Sequence, residues 1–183
     1  MFLRKGKERE PVPVTMSGVR MGERLLQIGV DDPATLGAIG AKVGLSGTAA
    51  VAVEDERGGE RARRAAASAG VLMDIQVQPL DTLPWDDASF DAVVVHAMRG
   101  LSDGSGAARP GALAACHRVL RPGGRIVVIE QGPRTGLSAL LKGSGTATGA
   151  GVAAVQLLEA AGFRPVRVVG ELEGYRFTEG LKA

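Results

Sequence analysis

Asp91-Ala92-Val93-Val94-Val95-His96 and Arg125-Ile126-Val127-Val128-Ile129-Glu130 are two apolar runs joined by a helical stretch, Ala112 to Leu120, and a Pro122-Gly123-Gly124 stop. Neither run alternates polar with apolar residues, so each reads as a strand covered on both faces. A helix between two such strands argues for parallel pairing through a crossover. The same alternation extends upstream. Leu25 to Gly29 and Thr48 to Val53 read as strands, and Asp74 to Gln78 as a weaker one. Ala34 to Val43 and Arg57 to Ala69 read as the helices between them. Downstream the style changes. Val152 to Ala161 is a short amphipathic helix ending at Gly162, and Val166 to Val169 and Tyr175 to Thr178 sit close enough to form an antiparallel hairpin. The pattern predicts five β/α units, then a helix and a terminal strand pair.

Composition narrows the function classes. The 183 residues are 45% hydrophobic and 23% charged, an ordinary globular balance for one domain. No apolar run approaches the roughly 18 residues of a membrane span. Twenty-two basic against 20 acidic residues leave a net charge of +2, too weak a field to draw nucleic acid. One Trp, one Tyr and four Phe make no platform for stacking bases. Cys116 is the single cysteine, so no internal disulfide forms and no cysteine cluster holds metal; a reducing, cytoplasmic setting is expected. Residues 1–20, with Arg4, Lys5, Lys7 and Arg9 among Glu8 and Glu10, read as a solvated, partly ordered leader or a docking segment for an acidic partner, and residues 21–183 as a single domain. Two Gly-rich loops, 99–111 and 132–151, interrupt the domain.

Three segments resemble a known family. Leu83-Pro84-Trp85-Asp86-Asp87-Ala88-Ser89-Phe90-Asp91-Ala92-Val93 is similar to the LPFxDxSFDxV segment of class I methyltransferases, which use S-adenosylmethionine and include the quinone-biosynthesis type. His117-Arg118-Val119-Leu120-Arg121-Pro122-Gly123-Gly124 resembles that family's RVLKPGG turn, and Leu157-Leu158-Glu159-Ala160-Ala161-Gly162-Phe163 its LLxxAGF helix end. They occur in the family's order. The resemblance implies an α/β, Rossmann-like sheet of seven mostly parallel strands in the order 3-2-1-4-5-7-6. Helices would cover both faces and an antiparallel hairpin would close the chain.

The same resemblance implies a cofactor site, with departures. The family's D/E-x-G-x-G-x-G loop after the first strand reads here Gln27-Ile28-Gly29-Val30-Asp31-Asp32-Pro33. Gly29 survives; Asp31 stands at the second glycine and Pro33 at the third. Asp32 suits an N-cap and Pro33 the first helical position, so this loop can satisfy its own helix N-terminus. Asp31 would meet the ammonium or sulfonium of the cofactor. Glu54, ending the second strand, matches the carboxylate that holds the ribose hydroxyls, with Asp55 its neighbouring candidate. Leu80 would cover the adenine, and Asp81 could contribute only through a register slip. His96, ending the fourth strand, is the candidate catalytic base. His117 reads as structural, and no spacing suggests a metal ligand set.

The expected activity is methyl transfer from S-adenosylmethionine to a small-molecule or protein acceptor. The alternative is a catalytically inactive methyltransferase-like module for binding or assembly, with a second copy or another protein as partner. The altered loop and the few residues before the first strand, too few for a substrate cap, favour that alternative. A nicotinamide oxidoreductase would need G-x-G-x-x-G where Gly29-Val30-Asp31-Asp32-Pro33-Ala34 stands.

Overall fold

The structure, a computed structural model, describes residues 10–97, 107–131 and 147–183. Most of both Gly-rich loops and the first nine residues lie outside that set. The elements, in chain order, are α1 Val12–Met16, β1 Arg24–Ile28, α2 Pro33–Ala41, β2 Thr48–Val53, α3 Glu56–Ala69, β3 Met73–Val77 and β4 Phe90–Ala97. They continue with α4 Pro110–Val119, β5 Leu120–Gln131, α5 Ala147–Ala160, β6 Val166–Leu172 and β7 Tyr175–Leu181.

The sheet order is β3-β2-β1-β4-β5-β7-β6, as the resemblance implied. β1 to β5 pair in parallel; β7 runs antiparallel to both β5 and β6. Successive strand residues face opposite layers. Leu26, Ile28, Val93 and Val95 pack with Leu113, Cys116 and Leu158 of α4 and α5. Leu25, Val94 and Val127 pack with Val14 and Ile39 on the other face. The direction of chain winding reverses between β1 and β4, and in open α/β sheets ligands bind beyond the carboxyl ends of the strands at that point.

Three expectations change. No helix joins β3 to β4. Residues 78–89 turn through Pro79 and Pro84 while Leu80 and Leu83 are buried. The leader is not solvated throughout: from Val12 it docks on the domain, with Val14 and Val19 buried beside Leu25 and Ile39. Its apolar residues explain this. Finally, β5 begins at Leu120, and Pro122-Gly123-Gly124 bulges out between the registers Phe90↔Leu120 and Ala92↔Arg125.

The three family segments interlock at the amino-terminal edge of β4 and β5. Arg118 donates to the carbonyls of Leu83 at 2.8 Å and Trp85 at 2.9 Å, and pairs with Asp87 at 2.8 Å. Trp85 meets Phe90 edge to face, with ring centres 5.3 Å apart. Fully buried Phe163 lies edge-on to His117 at 4.9 Å, and the chain reaches it through Gly162 at φ +97°. Asp91 joins three strands' ends: it accepts the Arg24 N–H at 2.8 Å and pairs with Arg24 and Arg121. Burial alone would raise its pKa, but these donors overcome it and hold the carboxyl at about 2.

Candidate functional site

The opposite edge, where β1, β2, β3 and β4 end, brings the candidate residues together. Gly29 turns the chain out of β1 at φ +78°, a conformation that favours glycine. A Cβ added there would lie 3.2 Å from the Cβ of Ala107 and 3.3 Å from the carbonyl oxygen of His96. Close backbone approach at this turn therefore requires glycine.

Asp32 caps α2 as its residue type predicts. Its carboxylate accepts from the N–H groups of Ala34 at 3.2 Å and Thr35 at 3.1 Å, and from the Thr35 hydroxyl at 2.6 Å. Pro33 fills the first helical position. Burial opposes the charge on Asp32, yet the Thr35 and Ala34 donors outweigh it and lower the pKa. The carbonyl of Asp31 accepts from Arg61 of α3 at 2.6 Å, which ties the loop to the next helix.

His96 is 5% exposed, and its Nε2 lies 2.9 Å from Oε1 of buried Gln27. The Gln27 amide nitrogen donates to the Leu36 carbonyl at 3.0 Å, so its oxygen faces the imidazole. Nε2 therefore carries the proton and Nδ1 remains as the acceptor. Burial pushes the pKa down to about 4, against a smaller opposing pull from Asp32. His96 is thus a neutral side chain inside the protein.

Glu54 stands at the carboxyl end of β2 and is ion-paired to Arg109, which also pairs with Asp81 at 2.8 Å. One guanidinium thus bridges two acids that follow adjacent strands. Arg109 lowers the Asp81 pKa, and both acids raise that of Arg109. Asp55 caps α3 by accepting the Gly58 N–H at 2.7 Å and is not part of this cluster. Leu80 is 1% exposed, in one core cluster with Ala108 and Leu113, so the open apolar face expected of it is a core contact.

Sequence reading missed Arg109. A signal was present: an arginine directly before Pro110 places a cation at a helix N-terminus, where Ser, Thr, Asp or Asn is preferred. It also missed Glu130, buried at the end of β5 against Arg176 at 3.3 Å, whose burial raises its pKa despite that partner. Among the described residues no group of three or more His, Cys, Asp or Glu is placed to hold a metal ion, and no helix is long and apolar enough to cross a membrane.

Comparison with known proteins adds to this geometry. Residues 41–128 match the methyltransferase domain family. The chain is 31% identical over 120 residues to a ubiquinone/menaquinone biosynthesis C-methyltransferase, UbiE, of Teredinibacter turnerae. That match covers 64% of this chain and 46% of the relative, so the chain spans about half the relative's length. A SAM-dependent methyltransferase structure from Aquifex aeolicus superposes with a TM-score of 0.73 at 18% identity, covering 93% of this chain and 87% of that one. This is the class I methyltransferase fold. The fold alone does not fix the chemistry: the [4+2]-cyclase SpnF superposes with a TM-score of 0.66 at 15% identity over 93% of this chain and 79% of its own.

Proposed function

We propose that the protein is an S-adenosylmethionine-dependent methyltransferase of the quinone-biosynthesis-like type, acting on an acceptor of unassigned chemistry. One observation carries the reading. The Gly29 turn and the Glu54 carboxylate lie at the ends of neighbouring parallel strands, β1 and β2, beside the point where the sheet's winding reverses. The Glu54 carboxylate, half exposed one strand away from the Gly29 turn, fits the hydroxyls at the ribose end of the cofactor.

When bound, S-adenosylmethionine supplies a methyl group on a sulfonium, already a good leaving group. The protein's own part is then alignment and exclusion of water. Glu54 accepts from a vicinal pair of hydroxyls, as a carboxylate can with both oxygens. To do so it exchanges its Arg109 partner for them. Asp31 places negative charge at the loop, favouring a cationic group there and disfavouring a carboxylate. His96, buried and neutral, holds Gln27 through Nε2–H and positions the end of β1 rather than taking a proton from an acceptor.

Calorimetric titration of the protein with S-adenosylhomocysteine tests the reading. Saturable binding, weakened at least tenfold by Glu54→Ala, is expected. No heat at millimolar ligand, from wild type or any variant, would remove the cofactor and the activity together.

A further inference from the structure

Between them, α2 and α3 form an open groove of about 860 Å³, within the range of small-molecule sites. The helices touch closely at one level, where a Cβ on Gly37 would lie 2.9 Å from the Ala65 carbonyl. Small side chains keep the rest of the groove open. Its composition is polarised. Arg57, Arg61 and Arg64 recur at helical spacing along one wall, and Ala65 and Ala69 continue it beyond Arg61 on the same helix. From Arg57 to Ala69 the wall runs roughly 18 Å.

The arginines outnumber the acids along the groove among the described residues. None of its lining residues is acidic. The acids of α3 nearest in sequence, Glu56 and Glu60, both serve Arg63, at 2.5 and 3.5 Å. Arg61 spends one N–H on the Asp31 carbonyl, and Arg57 and Arg64 take no acidic partner among the described residues. Guanidinium groups offer several donors in a planar fork that matches phosphate or carboxylate oxygens. An anion is the complement of such a wall, and the alanine end suits an apolar body.

We propose that the α2–α3 groove binds a small anionic amphiphile, its phosphate or carboxylate head on Arg57, Arg61 and Arg64 and its apolar chain along Ala65 and Ala69. The groove borders the loop after β1 through Pro33 and Ala34, but the proposed site uses no contact of Gly29, Glu54 or His96 and stands independently of the methyltransferase reading.

The probe is octyl phosphate, titrated below its aggregation concentration and followed by calorimetry, with inorganic phosphate and 1-octanol as controls. Octyl phosphate should bind saturably and at least tenfold more tightly than either control. The double variant Arg57→Gln/Arg64→Gln changes exposed side chains and should weaken binding at least tenfold. Ala69→Leu, also at an exposed position, should weaken octyl phosphate at least threefold and leave inorganic phosphate unchanged. Circular dichroism confirms that the variants fold. Absence of saturable binding, or binding indifferent to the arginine variant, overturns the site. Inorganic phosphate binding as tightly as octyl phosphate, with no response to Ala69→Leu, overturns the amphiphile. In a second arm the protein is spun with phosphatidylglycerol/phosphatidylcholine vesicles. It should stay in the supernatant; arginine-dependent sedimentation would replace the small ligand by a bilayer surface and overturn the proposal.

Discussion

The two edges of the sheet use their side chains differently. At the amino-terminal edge the three family segments hold one another: Arg118 grips the carbonyls of Leu83 and Trp85, and Phe163 buries itself against His117. At the carboxyl edge the charged groups are held by partners that could be exchanged. Glu54 and Asp81 share Arg109, and all three remain partly open to solvent. The difference teaches where a familiar sequence pattern speaks of folding and where it speaks of ligands. The recognisable motifs build the scaffold edge, and the departures from the family gather at the other.

The largest effect should come from the scaffold edge. Phe163→Ala removes a fully buried ring and should cost about 3–5 kcal/mol, measured by urea unfolding. Affinity for S-adenosylhomocysteine, per folded molecule, should not change. A selective loss of affinity would mean that the two edges are coupled and would break the comparison.

Acid comes next, acting at the carboxyl edge through burial. An unfolded histidine titrates near 6.5, whereas His96 in the fold titrates at about 4. Between those values the unfolded chain binds a proton that the native one refuses, so stability falls as pH falls. It is complete above pH 6.5 and lower by about 3 kcal/mol below pH 4. The comparison of wild type with His96→Gln isolates this slope from that of the carboxylates. Equal slopes in the two proteins would show that His96 does not carry the loss.

Sequence legibility follows the same division. Val93 to Val95 and Ile126 to Ile129 announced buried parallel strands because both sheet faces are covered, and no competing pattern blurred them. The strand order came from the resemblance, since periodicity alone does not order a sheet. Asp32 and Pro33 were legible as a cap because capping depends on residues a few positions apart. The Arg109 bridge was not, because Glu54, Asp81 and Arg109 meet only once the sheet brings the ends of β2 and β3 to the start of α4. Leu80 was legible only as an apolar residue: a single leucine after a strand cannot say whether it faces a ligand or the core.

A smaller effect tests the cap. Asp32→Ala should cost about 0.5–2 kcal/mol in thermal or urea unfolding, and Asp32→Asn clearly less, because an amide oxygen still accepts from Ala34 and Thr35. Equal losses would assign the stabilisation to charge rather than to capping.

Arg109→Ala should have the smallest effect on stability and the most informative one on binding. Glu54 and Asp81 are each about half exposed, so their pairs with Arg109 should contribute under about 1 kcal/mol. The acids left behind face water. The ribose end of the cofactor, however, competes with Arg109 for Glu54. Removing the competitor should tighten S-adenosylhomocysteine binding by about threefold to tenfold, the equivalent of roughly 0.7–1.4 kcal/mol. Salt separates this from a general loosening of the loop. Screening weakens the Arg109–Glu54 pair, so wild-type affinity should rise with ionic strength, while that of Arg109→Ala should not. If wild type binds and the variant binds no tighter, Arg109 does not compete for Glu54. If the variant binds more weakly, Arg109 is itself part of the seat, and the bridge between β2 and β3 is a preformed wall of the site.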